Sequence, residues 1–419
     1  MIFGIETRTQ PITKEAVWSA WKHVRQGSSG TGGVDRVSVA MIDANPRKYL
    51  YPLWNRLSSG SYMPSAVRAV SIPKPNGGTR QLGIPTLCDR VAQEVIRREL
   101  EKIVEPLFHP SSFGYRPNRS AHQALQQCER NSWERWYVVD LDIKGFFDNI
   151  DHEHTMRILK KYTDKKHILL YCRRWLEAPI AGVDNANLSK RTKGTPQGGV
   201  ISPLLANLFL HEVFDKWMET THHNMVFERY CDDIIIHTRS IEQSNFILDK
   251  VISRLRQYKL ELNMEKTKTV YCYRTARFHK ETKEIPTSFD FLGYTFKLRK
   301  CEKEETGERF CGFTAAISTK SQSKILRVLR SMQIPQRTVY SLQEVANYLR
   351  PKLLGWIRYY GKFRLKQMHR IFQTLNHRLI RFLQNKHKYS SYRRAKRRLQ
   401  WVNKYFPNMF VHWQYGFNI

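Results

Sequence analysis

Two adjacent carboxylates, Asp232 and Asp233, stand inside an apolar run, Phe227-Glu228-Arg229-Tyr230-Cys231-Asp232-Asp233-Ile234-Ile235-Ile236. Burying an unpaired carboxylate is very costly, so the pair either sits solvated at an exposed turn or is held by a cation. Ninety residues earlier, Val138-Val139-Asp140-Leu141-Asp142-Ile143 reads as a strand with acids at alternate positions, which puts Asp140 and Asp142 on one face. Metal ligation would account for an acidic strand face in a basic chain. Acids from separate elements of one sheet can clamp two divalent ions roughly 3.5–4 Å apart, stabilising both oxygens of an in-line phosphoryl transfer. Mg2+ suits such a set, with Mn2+ as a substitute, because a few carboxylates and substrate phosphates complete its shell. Lys74 and Arg80 flank an Asn76-Gly77 turn between two short strands, where two cations could close over a triphosphate. A solvated basic hairpin is the alternative.

The elements that position these groups follow from local pattern. Residues 227–236 read as strand, tight turn and strand, with the acids at the bend. Asp89 to Ile103 has helical spacing. Phe113-Gly114-Tyr115-Arg116-Pro117-Asn118-Arg119-Ser120 is a loop in which arginines alternate with aromatics, suited to a nucleic-acid strand or to a packed corner. Gly194-Thr195-Pro196-Gln197-Gly198-Gly199 could bring backbone close to a ligand, and Ser202-Pro203 reads as the cap and first position of a helix. Residues 241–258 form an amphipathic helix, and Asn263, Glu265, Lys266, Thr267 and Lys268 lie at a turn. From about 320 the periodicity is helical. Ser341 and Glu344 form a capping box, with a restart or kink at Pro351, and Met368 to Leu383 carries a long apolar stripe. Tyr392-Arg393-Arg394-Ala395-Lys396-Arg397-Arg398 is the densest basic cluster.

At 419 residues the chain should divide into two or three domains. Seventy Lys and Arg against 37 Asp and Glu leave a net charge of +33, spread along the chain. A polyanionic partner relieves that self-repulsion, and nucleic acid fits better than a membrane surface, because no run of about 18 apolar residues exists. Seven cysteines, none in a Cys-x-x-Cys pair, argue against a disulfide framework and a zinc knuckle. No secretory signal opens the chain, so a reduced, cytoplasmic setting, nucleoid- or ribonucleoprotein-associated, is expected.

The motifs, in this order, resemble a reverse transcriptase of the group II intron-encoded kind with its maturase region. The resemblance runs through Ile72-Pro73-Lys74-Pro75 to Arg80, Phe113 to Pro117, Asp142-Ile143-Lys144-Gly145-Phe146-Phe147-Asp148 and Gly194 to Gly199. It continues through Tyr230-Cys231-Asp232-Asp233, Leu262 to Lys268, Phe291-Leu292-Gly293-Tyr294, Leu349 to Tyr360 and Phe410 to Trp413. It implies an α+β right-hand polymerase: fingers, a palm with antiparallel sheet and flanking helices, and an all-α thumb or maturase domain. The expected spans are 1–60 for a template- and primer-contacting extension, 61–135 for fingers, 136–315 for palm with finger insertions around 153–193, and 316–419 for thumb. The resemblance assigns Asp142, Asp232 and Asp233, with Ile143 beside them, to the metal site. Lys74, Arg80, Phe147, Gln197 and Ile143 go to the incoming dNTP, with Phe147 blocking a ribose 2′-OH. Lys266 or Lys268 would give a proton to pyrophosphate. Arg116, Arg119, Tyr230, Gly293, Arg358, Arg393, Arg394 and Arg397 are the expected nucleic-acid contacts. RNA template, DNA or RNA primer, and structured intron RNA are the implied partners.

Because neighbours in extended chain face opposite sides, Asp232 is the expected shared ligand and Asp233 the weaker one. Two departures from the family stand out. Cys231 occupies a position usually held by Ala, and no zinc-type cysteine pairs for an endonuclease domain follow the thumb. Two rival functions remain, a host-adopted polymerase acting in DNA repair and a non-enzymatic RNA-binding splicing factor.

Overall fold

The structure, a computed structural model, describes residues 10–28, 32–73, 79–182, 188–189, 191–272, 285–302 and 307–419, without the side chains of Arg80 and Glu302. It divides into two compact units. The first takes the described residues of Met1–Ser120, Leu141–Ile236 and Glu242–Lys268, and the second those of Ala121–Asp140, His237–Ile241 and Thr269–Ile419. No helix among the described residues is long and apolar enough to cross a membrane.

In the first unit, helix Lys14–Gly27 buries Val17, Ala20, Trp21 and Val24, a stripe at helical spacing, and Thr13 caps it by accepting from the Ala16 amide. Helix Leu87–Val104 carries a fully buried Glu94 whose carboxylate accepts from Arg97 at 2.7 Å and Arg98 at 2.6 Å. Strands Val67–Pro73 and Thr79–Ile84 form the expected hairpin, in register from Arg68↔Ile84 to Pro73↔Thr79. With Ile180–Ala181 and Leu188–Ser189 they make a four-stranded sheet. A second sheet has the order Val226–Tyr230, Asp233–Thr238, Tyr137–Asp142, Lys268–Tyr271, of which residues 226–236, 141–142 and 268 belong to this unit. The strand ending at Asp142 is therefore next to the strand opening at Asp233.

In the second unit, strands Ser288–Phe291, Tyr294–Glu302 and Arg309–Ile317 form an antiparallel sheet. Leu292 and Gly293 both have positive φ, the two-residue hairpin turn whose twist matches its strands. That turn is tied down: the Gly293 carbonyl accepts from the Ser318 amide at 3.0 Å and Ser321 Oγ at 2.9 Å, and the Leu292 carbonyl from Tyr359 Oη at 2.9 Å. The capping box at Ser341 and Glu344 forms, but helix Leu342–Arg364 runs through Pro351 without restarting. Helices Thr319–Ser331, His369–Lys386 and Tyr392–Tyr405 pack round one core that includes Leu349, Leu353, Phe372, Leu379 and Leu399.

A polar clamp sits inside that core. Asn376 donates to the carbonyls of Phe417 and Asn418 at 3.1 Å, while its Oδ1 lies 2.8 Å from His412 Nε2 and 3.2 Å from Trp413 Nε1. Burial pulls the His412 imidazole down to about 3, so it stays neutral when folded. The unfolded chain protonates near 6.5, so stability contributed by neutral His412 is complete above that pH and is lost as pH falls toward 3. The loss should approach about 1.4 kcal/mol per pH unit. Denaturant unfolding at pH 7, 6 and 5 should show this slope in wild type and a shallower one in His412→Gln; equal slopes would remove His412 as its cause.

Candidate functional site

The Asp232–Asp233 turn is built from buried polar contacts beneath it. Cys231, 3% exposed, takes φ +61°, a left-handed conformation that costs a non-glycine residue about 1–2 kcal/mol. The guanidinium of fully buried Arg229 donates to the Cys231 carbonyl at 3.1 Å and to Asn207 Oδ1 at 2.9 Å. It also forms two bonds to the buried Asp215 carboxylate, at 2.7 and 2.5 Å. Burial alone would raise the Asp215 carboxyl; Arg229 and His211 hold it below its ordinary range. Asp215 closes a π-helical turn, His211–Asp215, that follows helix Ser202–Leu210.

The Phe113–Pro117 loop is fastened to the same place. The Phe113 amide donates to the Arg229 carbonyl at 2.8 Å, the Arg229 amide to the Ser111 carbonyl at 2.9 Å, and Asn207 Nδ2 to the Gly114 carbonyl at 2.7 Å. A Cβ on Gly114 would stand 2.5 Å from the Cys231 amide nitrogen, so only glycine fits against the turn. The two arginines of this loop part company. Arg116, expected to touch nucleic acid, is 5% exposed in its side chain and is bound to Glu105 at 2.8 Å and to the carbonyls of His109 and Ser112 at 2.8 Å each. It is a corner residue, because those partners use its guanidinium internally. Arg119 is exposed, over the Phe113 ring at 5.6 Å, and half-buried Tyr230 lies 6.2 Å from Tyr115.

Around the acids, charge is concentrated. Burial first, then the charges of Asp232 and Asp142, push the Asp233 carboxyl up to about 6, and Lys266 opposes the rise. Asp233 is exposed by surface area, and the surrounding protein still takes enough water from the carboxyl to produce this shift. Lys266 Nζ lies 3.3 Å from Asp142 Oδ2. The Asp142 carbonyl and amide are held by the Asn263 amide at 2.7 Å and Thr267 Oγ1 at 3.3 Å. Buried Ile143 bridges to Leu262 by backbone, and Lys268 opens its strand. A carboxyl that feels two further carboxylates, one of them bound by an ammonium, suits an oxygen-ligated divalent cation.

The glycine-rich segment meets the Phe146–Asn149 helical turn. The Thr195 amide donates to the Phe147 carbonyl at 2.8 Å, the Gly194 amide to the Ile150 carbonyl at 2.7 Å, and Gln197 Nε2 to Asp148 Oδ1 at 3.1 Å. Phe147 is half-buried, edge-on to Phe146 at 5.5 Å. The close approach expected of the glycines is to the protein's own chain: a Cβ on Gly198 would stand 2.6 Å from the Gly83 carbonyl. Gln93 Oε1 accepts from the Val200 amide at 2.7 Å, and Ser202 Oγ, expected as a cap, accepts instead from Thr195 Oγ1 at 2.7 Å. A solvent-open cleft of about 340 Å³ lies between Gln81, Gly83, Asp148, Pro196, Gln197 and Arg191. Arg191 Nη1 is buried there without a hydrogen-bond partner, and burial pulls the guanidinium down to about 10 against the pull of Asp148. Of the triphosphate pair, Lys74 lies outside the described residues, and Arg80 is placed only by its backbone, opposite Ile72. Gly293 sits in its hairpin turn, while Arg358, Arg393, Arg394 and Arg397 are exposed on their helices.

Sequence reasoning missed Arg229, Asp215, Asn207, Gln93 and Arg191. Only Arg229 carried a signal, a cation inside an apolar strand that must have a buried partner. Arg229→Met should cost about 3–5 kcal/mol in unfolding free energy, because it leaves Asp215 buried with His211, at 3.7 Å, as its ion-pair partner among the described residues. A loss below about 1 kcal/mol in denaturant titration would deny the pair its anchoring role.

Residues 72–296 match the family model of reverse transcriptase (RNA-dependent DNA polymerase), and residues 322–401 that of the group II intron maturase-specific domain. The group II intron-encoded protein LtrA of Lactococcus lactis subsp. cremoris is 36% identical over 266 residues, 62% of this chain and 41% of LtrA. Protein YkfC of Escherichia coli (strain K12) is 36% identical over 195 residues, 45% of this chain and 50% of YkfC. The matched stretches thus span half or less of these relatives' lengths. A telomerase from Candida albicans aligns at a TM-score of 0.46 and 12% identity, over 85% of this chain and 66% of its own, a distance at which likeness carries no argument. On the two family matches, the chain belongs to the reverse transcriptases, to their group II intron-encoded kind with a maturase-specific region, and its α+β fold is of the right-hand polymerase class.

Proposed function

We propose that the protein is an RNA-directed DNA polymerase that adds deoxynucleotides to a primer 3′ end, and that its helical region binds intron RNA and assists splicing. The observation that carries this reading is that the strand ending at Asp142 lies next to the strand opening at Asp233, whose carboxyl feels the charges of both Asp142 and Asp232, within a chain of net charge +33. Divalent cations, Mg2+ with Mn2+ as a substitute, would be held by Asp142 and Asp232, with Ile143 adjacent and Asp233 weaker, and would supply charge neutralisation at the phosphoryl oxygens. Lys266 or Lys268 then serves as the proton donor to pyrophosphate. Lys74 and Arg80 are assigned to the triphosphate. Gln197 touches the incoming nucleotide or its templating partner, and the Phe147 ring occupies the space a ribose 2′-OH would need.

Asp232→Ala should abolish primer extension on an RNA template, and Asp233→Ala should leave more residual activity. Full activity in both variants would overturn the metal-site assignment. Splicing of a flanking intron separates this reading from a repair role, and extension itself separates both from a non-enzymatic splicing factor.

Opening the space at Phe147 should admit ribonucleotides. In Phe147→Val, the preference for dNTP over rNTP, read as the ratio of kcat/KM values, should fall on the order of 10- to 100-fold. An unchanged ratio would place the steric gate elsewhere.

A further inference from the structure

Helix Tyr392–Tyr405 has two unlike faces. Ala395, Leu399 and Val402 are buried, while the outer face carries Arg393, Arg394, Lys396, Arg397, Arg398 and Lys404 and no acid. Three large rings crowd the C-terminal end of that face without being buried: Trp401 is 43% exposed, Tyr405 57% and Phe406 51%. They form a small array. The Trp401 ring lies 4.8 Å from Tyr405 and 6.1 Å from Phe406, and the Arg398 guanidinium covers Trp401 at 4.4 Å. The array thus has a cation at each end, since the Lys404 ammonium lies over the Tyr405 ring at 5.6 Å. Such rings left in water need a partner, and the six cations around them select a polyanion that also offers flat apolar faces. An unpaired nucleic-acid strand has both, with phosphates for the cations and bases for the rings. A duplex hides its base faces in its own stack.

We propose that this face of the Tyr392–Tyr405 helix is a stacking site for unpaired nucleic acid, with Trp401, Tyr405 and Phe406 taking base faces and Arg393, Arg394 and Arg397 taking phosphates. The inference deepens the reading of the helical region as an RNA-binding surface and rests on it. It adds the requirement that the bound segment be single-stranded.

The test uses the full chain and 15-nucleotide unstructured RNA and DNA oligomers carrying 5-iodouracil, a blunt RNA duplex, and poly-glutamate as an acidic polypeptide competitor. Photocrosslinks from both oligomers should map to Trp401, Tyr405 or Phe406. The Trp401→Ala/Tyr405→Ala variant should bind both oligomers about tenfold or more weakly, with duplex affinity and the salt slope unchanged. Tyr405→Phe should bind like wild type. Arg393→Gln/Arg397→Gln should instead lower the slope of log K against log salt by about 1.4, or 0.7 per phosphate for a single strand. Crosslinks confined to other residues would overturn the proposal. So would equal losses on duplex and single strand in the ring variant, or displacement of RNA by poly-glutamate at matched charge. These readouts are of binding, so a chain that bound unpaired strands through these rings but never extended a primer would refute the polymerase reading alone.

Discussion

The buried pair of Arg229 and Asp215 is the interaction on which the acidic turn depends. A left-handed Cys231 turns its carbonyl away from the hairpin ladder, and a buried carbonyl without a donor is expensive. Arg229 supplies the donor from beneath through Nη1, which also donates to Asn207, and its remaining nitrogens are satisfied by Asp215. Each partner belongs to a different element. The turn, the Phe113–Pro117 loop, helix Ser202–Leu210 and the π-helical turn after it therefore share one polar hub. Apolar packing could fill the same volume, but it would not fix the direction in which the Cys231 carbonyl points, and that direction sets where Asp232 emerges.

Above the hub the electrostatics reverse. The protein as a whole is strongly basic, yet at this turn burial first, and then the charges of Asp232 and Asp142, raise the Asp233 carboxyl. Folding has gathered like charges that would be more stable apart. Lys266 offsets part of that repulsion at Asp142, and on the proposed reading divalent cations would offset the rest. The surrounding positive charge would then act in the same direction by attracting a polyanion.

Much of this was legible in the sequence because it is local. The strand–turn–strand at Asp232, the hairpin of residues 67–84, the capping box at Ser341 and the apolar stripe of the Met368–Leu383 segment follow from periodicity and turn chemistry, which act over a few residues. Pro351 does not restart its helix, which is held on both sides by the packing of Leu349 and Leu353. Arg116 was ambiguous for a related reason. An arginine among aromatics looks the same whether its acceptors are phosphates or the carbonyls of its own corner, and only the fold shows Glu105 beside it. Asp215 and Gln93 were invisible, since nothing near them in the chain marks the amides and guanidinium they will meet.

The same reasoning explains why the glycine-rich segment serves as scaffold as well as surface. Gln93, from a helix more than a hundred residues earlier, uses one side-chain oxygen to hold the amides of Val200 and Ile201, at 2.7 and 3.4 Å. The Gly83 amide takes the Gln197 carbonyl at 3.0 Å, so the hairpin of residues 67–84 and the loop are joined by backbone. With its main chain fixed at both ends, Gln197 presents its side chain to Asp148 and the cleft, where a loop free to slide would not hold it.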